Sequence, residues 1–297
     1  MWKGALLVFA GACSFGILST IVKSAYKLGY TLTELCGIQA GLGMIFLWAI
    51  YLLTRDKKTP IQWRNGLKLL ALGTSSGIVS ITYYQSVQYI PASVAILLLM
   101  QFTWMNMLVD AILHKKRPTV QQLICVGLIL CGTILASGML NGVNSHLPVA
   151  GIGFGLLAAA FYTVFMTANS STRSNTPPVL KSAWMVTGAF LIVSLILPPT
   201  YLFNGRLFDS TLLLWGLPLA LFGTVLPPFL YAKGMPQVGL SLGGIISAAE
   251  LPVAVVSAAI VLREQVGWMQ IAGIVLILGA ITWSNYPKKA GIKSPTV

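Results

Sequence analysis

Charged residues are scarce in this chain, and acidic ones are especially scarce. Of 297 residues, six are Asp or Glu, two are His and four are Cys, and the charged fraction is 8%, against about 25% in soluble domains. The sequence contains no HExxH, no CxxC and no glycine-rich phosphate loop. These absences disfavour a metalloenzyme, a Ser-His-Asp hydrolase and an ATP-driven pump. We therefore predict a protein that is not an enzyme and that uses no cofactor and no metal.

Long apolar runs make up most of the chain. Hydrophobic residues account for 56% of the sequence, and ten runs of about 20 residues are each long enough to cross a bilayer as a helix. They are residues 4–22, 32–54, 66–88, 91–113, 119–139, 148–168, 180–203, 211–232, 237–262 and 267–286. We predict an all-α integral membrane protein with about ten transmembrane helices.

The basic residues indicate how the chain is oriented. If the N-terminus is cytoplasmic, only four of the 19 Lys and Arg fall in outer segments, namely Lys23, Lys27, Arg206 and Arg263. Because cytoplasmic loops carry the excess of basic residues, we predict a multi-pass protein of the cell membrane (plasma or inner) with both termini cytoplasmic. The net charge of +13 is then explained by anchoring to the lipid bilayer and gives no reason to predict nucleic-acid binding.

A weak internal repeat divides the chain into halves. When the second half is slid back by about 147 residues, Gly4–Leu7 falls on Gly151–Phe154 and Val126–Leu130 falls on Gly273–Ile277. We assign residues 1–140 and 148–287 to two five-helix repeats and 288–297 to a short basic cytoplasmic tail; chance similarity of apolar runs is the alternative. Because an odd number of helices reverses the second copy, the repeats are expected to be inverted about an axis in the membrane plane.

The repeat endings resemble a known family. The segments that carry the resemblance are Tyr89–Ser93 through Lys116–Thr119 and Ala249–Val253 through Leu262–Glu264. They are similar to the EamA-type domain of the drug/metabolite transporter superfamily, and the likeness covers nearly the whole chain as two tandem domains. The resemblance implies a secondary active transporter that works by alternating access and exports a drug or a small metabolite, such as an amino acid or a similar amphipathic solute.

The family pattern also implies which helices surround the substrate. It has a central cavity lined by helices one, three and four of each repeat, and a Pro twelve residues before a Glu near the end of the fourth helix. Pro252 and Glu264 match that spacing, whereas Met105 and Arg117 stand in these places in the first repeat. Any role of the pattern is therefore expected to rest on the second half.

Glu250 is the candidate for proton coupling. It lies near the middle of the run 237–262, roughly 18 Å from either end at about 1.5 Å per residue. Ionisable residues at this depth usually face a cavity or a partner. Pro252 leaves the Ala248 carbonyl without its helical donor, so we predict an interrupted helix with a midplane acid, as in transport sites. The alternatives are that Glu250 binds a substrate amine or is a structural acid that holds helices together.

Aromatic and amide residues in the expected cavity helices are candidates for substrate contact. They are Tyr83, Tyr84, Gln85, Gln101, Trp104, Asn106, Tyr162 and Tyr231. Such a set suits a small amphipathic solute, although interhelical hydrogen bonding is an alternative for Gln101 and Asn106. Pro227 and Pro228 interrupt another helix and, together with Pro252, are candidates for a gate; a static kink is the alternative.

Two other functions of the same fold remain open at this point, namely a passive facilitator and a lipid flippase. A groove open to lipid would favour the flippase, and solute movement without protons would favour the facilitator. The expected partners are the lipid bilayer, a small-molecule substrate and protons. The sequence indicates no oligomeric state.

Overall fold

The computed structural model describes residues 2–54, 63–90, 92–115, 117–136, 148–171, 176–199, 210–263 and 266–284, and the regular elements in these ranges are all helical. The helices are α1 Trp2–Lys27, α2 Leu32–Thr54, α3 Trp63–Tyr89, α4 Ala92–Leu99, α5 Phe102–His114, α6 Val120–Ala136, α7 Val149–Ser170, α8 Pro178–Ile196, α9 Ser210–Leu219, α10 Leu226–Val238, α11 Leu240–Ser247, α12 Glu250–Val261 and α13 Trp268–Ser284. A π-helical segment, Ala220–Val225, joins α9 to α10. The predicted all-α fold is confirmed.

Single helices, or pairs of consecutive helices, form stretches that are long and apolar enough to cross a membrane. Seven stretches of the described residues fit that description: Trp2–Lys27, Leu32–Thr54, Val94–His114, Val149–Ser170, Pro178–Ile196, Leu212–Val238 and Leu240–Val261. The helices α6 and α13 are apolar and shorter, with 17 residues each. The remaining helix, α3, is more polar because it contains Arg64, Lys68 and the run Thr74–Ser76, and it packs against α7 and α8. Each of the ten predicted spans therefore contains helix within the described residues.

The fifth helices of the two repeats, α6 and α13, are related by 148 residues. The Cys125 thiol on α6 lies 3.5 Å from the Ala280 carbonyl oxygen on α13, and the backbones of Gly132 and Gly273 meet between the same two helices. Adding 148 to the residue number takes Cys125 to Gly273 and Gly132 to Ala280. The contact between Cys125 and Ala280 is therefore equivalent to the contact between Gly273 and Gly132, as a twofold axis between the repeats requires. The register at this helix differs by one residue from the slide of about 147 that the sequence suggests.

The two repeats pack through corresponding helices. Helix α1 packs against α10 and α12, and its counterpart α7 packs against α3 and α5, which are the equivalent helices of the other repeat. Likewise α2 packs against the π segment and α8 against α3. This exchange of contacts is what two inverted five-helix repeats require. The side chains of the candidate site lie along this interface.

The fourth helix of the second repeat is interrupted, as the sequence predicts. Ala248 and Ala249 form a turn between α11 and α12, directly before Glu250. As predicted, Pro252 has no N–H to give the Ala248 carbonyl its helical donor, but this carbonyl accepts the Leu251 N–H at 3.3 Å and so does not lack a donor. The tighter turn supplies one. Pro252 lies in the first turn of α12, where a missing N–H costs no helical hydrogen bond.

The fourth helix of the first repeat is interrupted at the corresponding place, which we did not predict from the sequence. Met100 and Gln101 separate α4 from α5, 148 residues before Ala248 and Ala249, and neither is Pro or Gly. The Gln101 side-chain amide donates to the Leu97 carbonyl at 3.1 Å. That contact satisfies a backbone acceptor left over by the interruption. The fold therefore interrupts this helix without a proline.

Candidate functional site

A cavity of about 70 Å³, measured as the space open to the centre of a water molecule, lies between the repeats. This space holds roughly five to seven water molecules at about 10–15 Å³ each. Its walls come from α1, α2, α3, α4, α7, α8, the π segment, α10 and α12. The second helices of the repeats, α2 and α8, therefore contribute in addition to the helices that the family resemblance implies.

The cavity lies toward the end of the bundle where α1 ends and α2 begins. Its lining includes Phe15 from the second half of α1, Cys36 from the first half of α2 and Ser80 from the second half of α3. At the opposite end of α2, α3 and α8, three indole rings pack together. The ring centroids of Trp48 and Trp63 lie 5.3 and 5.5 Å from that of Trp184. These three helices are thus packed closely at the end away from the cavity.

Glu250 is the only carboxyl among the described lining residues. It is the first residue of α12, directly after the helix interruption, and its side chain is buried with 7% exposure. The Tyr162 hydroxyl on α7 donates to Glu250 Oε2 at 3.3 Å, and the Tyr231 hydroxyl on α10 lies 3.3 Å from that of Tyr162. With Tyr162 donating to the carboxyl, Tyr231 donates to Tyr162. The acid is therefore held at the cavity wall by helices of the second repeat.

Aromatic rings pack around Tyr162, the residue that donates to this carboxyl. Phe15 meets Tyr162 and Tyr231 edge to face, with centroid distances of 5.8 and 5.9 Å. Phe165 stacks on Tyr162 at 5.9 Å. Phe15, Tyr162 and Phe165 all line the cavity. One side of the cavity thus combines a single acid with an aromatic wall.

Gln39 organises a second polar region, on α2. Its side-chain Oε1 accepts the Tyr84 hydroxyl at 2.8 Å, and its backbone carbonyl accepts the Thr224 hydroxyl at 2.9 Å. All three residues line the cavity. Our sequence reasoning missed Gln39 because the resemblance points away from α2. The available signal was a single amide in the interior of an otherwise apolar predicted span.

Four of the residues predicted to contact substrate lie at or next to the cavity. Tyr83, Tyr84 and Tyr162 line it. Tyr231 is fully buried beside Tyr162. Three different helices, α3, α7 and α10, bring these tyrosines together.

The other four lie outside the lining. Gln85 is half-buried on α3. Gln101 accepts the Trp104 indole N–H at 3.0 Å on an exposed face of α5. Asn106 is buried on the other side of α5, with Nδ2 2.8 Å from the Met166 sulfur. The direction in which each side chain leaves its helix separates them from the cavity.

The proline pair marks a change of helix type. The chain is π-helical over Ala220–Val225, and the Leu226 N–H bonds to the Leu221 carbonyl five residues back. Pro227 and Pro228 follow in the first turn of α10, where Pro227 is buried and Pro228 lines the cavity. The span stays helical through the two prolines, and it changes from π-helix to α-helix directly before them. A gating role for these prolines and for Pro252 remains a prediction.

Comparisons with known proteins agree over nearly the full length. The sequence profile of the EamA-like transporter family matches residues 2–138 and again residues 149–286. The uncharacterized transporter YcbK of Bacillus subtilis (strain 168) is 23% identical over 297 residues, covering 98% of this chain and 95% of that protein. The uncharacterized transporter sll1319 of Synechocystis is 26% identical over 232 residues, covering 77% and 68%. A solved crystal structure shares the fold, with a TM-score of 0.74 at 16% identity over 95% of this chain and 97% of that chain.

Proposed function

Because this chain belongs to the EamA-like transporter family, we propose that it is a secondary active transporter that exports a small amphipathic metabolite or drug in exchange for protons at Glu250. The proposal rests on one observation: a single carboxyl lies at a helix interruption, buried at the wall of a cavity between two inverted repeats. An ionisable group is costly within a membrane and is retained where it faces a path or a partner. The proposed location is the plasma or inner membrane, with both termini cytoplasmic.

The arrangement of the cavity supports alternating access. The cavity lies toward one end of the bundle, and the indoles of Trp48, Trp63 and Trp184 pack together at the other. Both fourth helices are interrupted at corresponding positions, where hydrogen bonds three residues apart replace the α-helical pattern, and this change of pattern is a place where each half-helix can tilt. Interrupted helices at the interface of inverted repeats are typical of secondary transporters. In the proposed cycle, these elements open the opposite end as the first end closes.

Substrate and proton compete for the Glu250 carboxyl, and this competition couples the movement of one to the movement of the other. A proton on Glu250 removes the negative charge with which a substrate group would pair, so proton and substrate exclude each other. Tyr162 donates a hydrogen bond to this carboxyl and keeps it oriented at the wall. Each opening therefore releases one and takes up the other.

Substrate-evoked proton flux in liposomes tests the proposal. Purified protein is reconstituted with a pH-sensitive dye inside the vesicles and is screened against amino acids, purines and lipophilic amines. We expect at least one solute to move protons in the wild type, and we expect Glu250→Gln to reduce the signal to that of empty liposomes because the amide cannot take up a proton. Glu34→Gln is the matched control, since Glu34 is also buried but caps α2 through Thr31 at 2.8 Å, outside the cavity lining.

Three outcomes would contradict the proposal. Proton flux that survives in Glu250→Gln would remove Glu250 from the coupling. Solute movement without a proton signal would identify a passive facilitator. Movement of labelled lipid between leaflets, without solute movement, would identify a flippase.

A further inference from the structure

The cavity wall carries one acidic group and no basic one. Among the described lining residues Glu250 is the only Asp or Glu, and none is Lys, Arg or His. The buried lysine of the second repeat is engaged elsewhere, since Lys181 Nζ donates to the Asn169 carbonyl at 3.0 Å at the end of α7. An ionised carboxyl in a buried site needs a positive partner. This wall leaves that partner to be supplied by the substrate.

All the hydroxyl groups of the described wall except that of Tyr83 already donate their protons to protein oxygens. The bonds are Ser19 to the Gly16 carbonyl at 3.0 Å, Ser76 to the Gly73 carbonyl at 2.9 Å, Ser80 to the Ser76 carbonyl at 3.2 Å, Thr224 to the Ala220 or the Gln39 carbonyl, each at 2.9 Å, and Tyr84 to Gln39 Oε1 at 2.8 Å. A hydroxyl oxygen that donates its proton keeps lone pairs that accept hydrogen bonds. The wall therefore presents chiefly acceptors, which match a head group rich in donors.

The donors that remain on the wall are neutral. They are the Tyr83 hydroxyl, the Gln39 side-chain amide and the Cys36 thiol. Such groups can bind a hydroxyl or an ether oxygen. However, burying a substrate carboxylate without a cation is costly. The wall is thus suited to an ammonium group and unsuited to a carboxylate.

The aromatic residues also favour a positively charged ligand. The rings of Phe15 and Phe165 pack on Tyr162, whose hydroxyl donates to Glu250, and all three rings line the same cavity as the acid; aromatic rings attract cations. Leu18, Val79 and Leu99 continue the wall with aliphatic surface. The site therefore combines one acid with aromatic and aliphatic surface, which suits a cationic head on an apolar body.

We propose that this cavity binds small organic cations, namely protonated amines on an apolar and preferably aromatic body, and that it discriminates against zwitterions and anions. The inference rests on the proposed function in that it takes this cavity to be the substrate site. It narrows the substrate class away from amino acids, whose carboxylate would be buried without a cationic partner.

Calorimetric titration of the full-length protein in lipid nanodiscs tests the inference. Four ligands share a phenyl ring and differ in the charge of the head group: phenethylamine, phenylalanine, 3-phenylpropionate and 2-phenylethanol. We expect phenethylamine to bind about 30-fold or more tightly than phenylalanine or 3-phenylpropionate. Glu250→Gln should weaken phenethylamine to the affinity of 2-phenylethanol and leave the alcohol unchanged, whereas Glu34→Gln should alter none of the four.

The dependence on pH provides a second readout. Only the ionised carboxyl pairs with an ammonium group, so the affinity for phenethylamine should rise with pH, as long as the amine itself stays protonated. The affinity should be flat in Glu250→Gln. A merely structural Glu250 would change the stability of the protein without producing this difference between the two pH profiles.

Several results would contradict the proposal that the cavity binds organic cations. They are equal or tighter binding of phenylalanine or 3-phenylpropionate, no binding of phenethylamine, and phenethylamine binding that survives in Glu250→Gln. Proton flux driven by a zwitterion would contradict the preference for cations but would still support proton-coupled transport through Glu250. Cation binding with no proton flux would keep the assignment and remove the coupling.

Discussion

Tyr162 gives Glu250 a donor that is already in position. Its hydroxyl donates to the carboxyl at 3.3 Å, and its ring packs edge to face with Phe102 at 4.7 Å and stacks on Phe165 at 5.9 Å. A side chain held by packed neighbours loses little further conformational entropy when it makes its hydrogen bond. The orientation of the carboxyl is therefore built into the packing between α5 and α7.

Replacement of Tyr162 by Phe should impair transport more than the same change at Tyr231. Tyr162→Phe removes the donor to Glu250 and leaves a buried acceptor unpaired, which costs about 1–3 kcal/mol, so we expect substrate-evoked proton flux to fall by about tenfold. Tyr231→Phe leaves that donor in place and should have a smaller effect, because Tyr231 contacts Tyr162. Initial rates in proteoliposomes measure both, and an equal or larger loss in Tyr231→Phe would contradict a direct role for the Tyr162 bond.

The contact between α3 and α8 shows how a polar helix is held within this bundle. Gly188 on α8 meets the Leu70 carbonyl, and Gly73 on α3 meets the backbone of Met185. Such close approach of two backbones permits tight van der Waals packing, which drives helix association in lipid, where the hydrophobic effect is absent. The helix with the least apolar sequence is thus retained by small residues at its interface.

Gly188→Ala should destabilise the protein, whereas Gly153→Ala should not. A Cβ at position 188 would overlap the Leu70 carbonyl oxygen, whereas one at position 153 has no neighbour within 4 Å. Overpacking of this kind costs about 1–3 kcal/mol, and an exposed Gly→Ala change within a helix is neutral or stabilising by up to about 1 kcal/mol. Thermal unfolding in detergent should show a melting temperature several degrees lower for Gly188→Ala alone. Equal melting temperatures for the two variants would refute the close contact.

The two repeats share a backbone arrangement but differ in charge. A shift of 148 residues takes Phe102 of the first repeat to Glu250 of the second, and both residues are the first of the second half-helix in their spans. Phe102 is fully buried and packs on Tyr162. The acid therefore lies on one side of the twofold axis only. A substrate is accordingly expected to bind in one orientation, with its charged end toward the second repeat.

The orientation of the whole molecule can be measured with reporter fusions. Because basic residues are concentrated in the segments predicted to be cytoplasmic, green fluorescent protein fused to the C-terminus should fluoresce and alkaline phosphatase fused there should be inactive. Fusions after Arg263, one span earlier, should give the reverse pattern. A C-terminal phosphatase that is active would invert the proposed topology.

Length and apolar content were enough to predict the all-α membrane fold, and they place Glu250 near the middle of its apolar stretch, Leu240–Val261. These properties can be read along one dimension, since a helix rises by about 1.5 Å per residue and a bilayer requires about 20 apolar residues. The family and its two repeats followed from the same linear pattern, apart from one residue in the register of the fifth helices.

Which residues line the cavity depends on how each helix is rotated against its neighbours. Gln39 lines the cavity and Gln101 does not, although both are amides within apolar spans. The helix interruption at Met100–Gln101 likewise contains no proline or glycine from which it could have been predicted. Rotation and interruption follow from packing between segments far apart in sequence, and a pattern read along one helix does not contain those contacts.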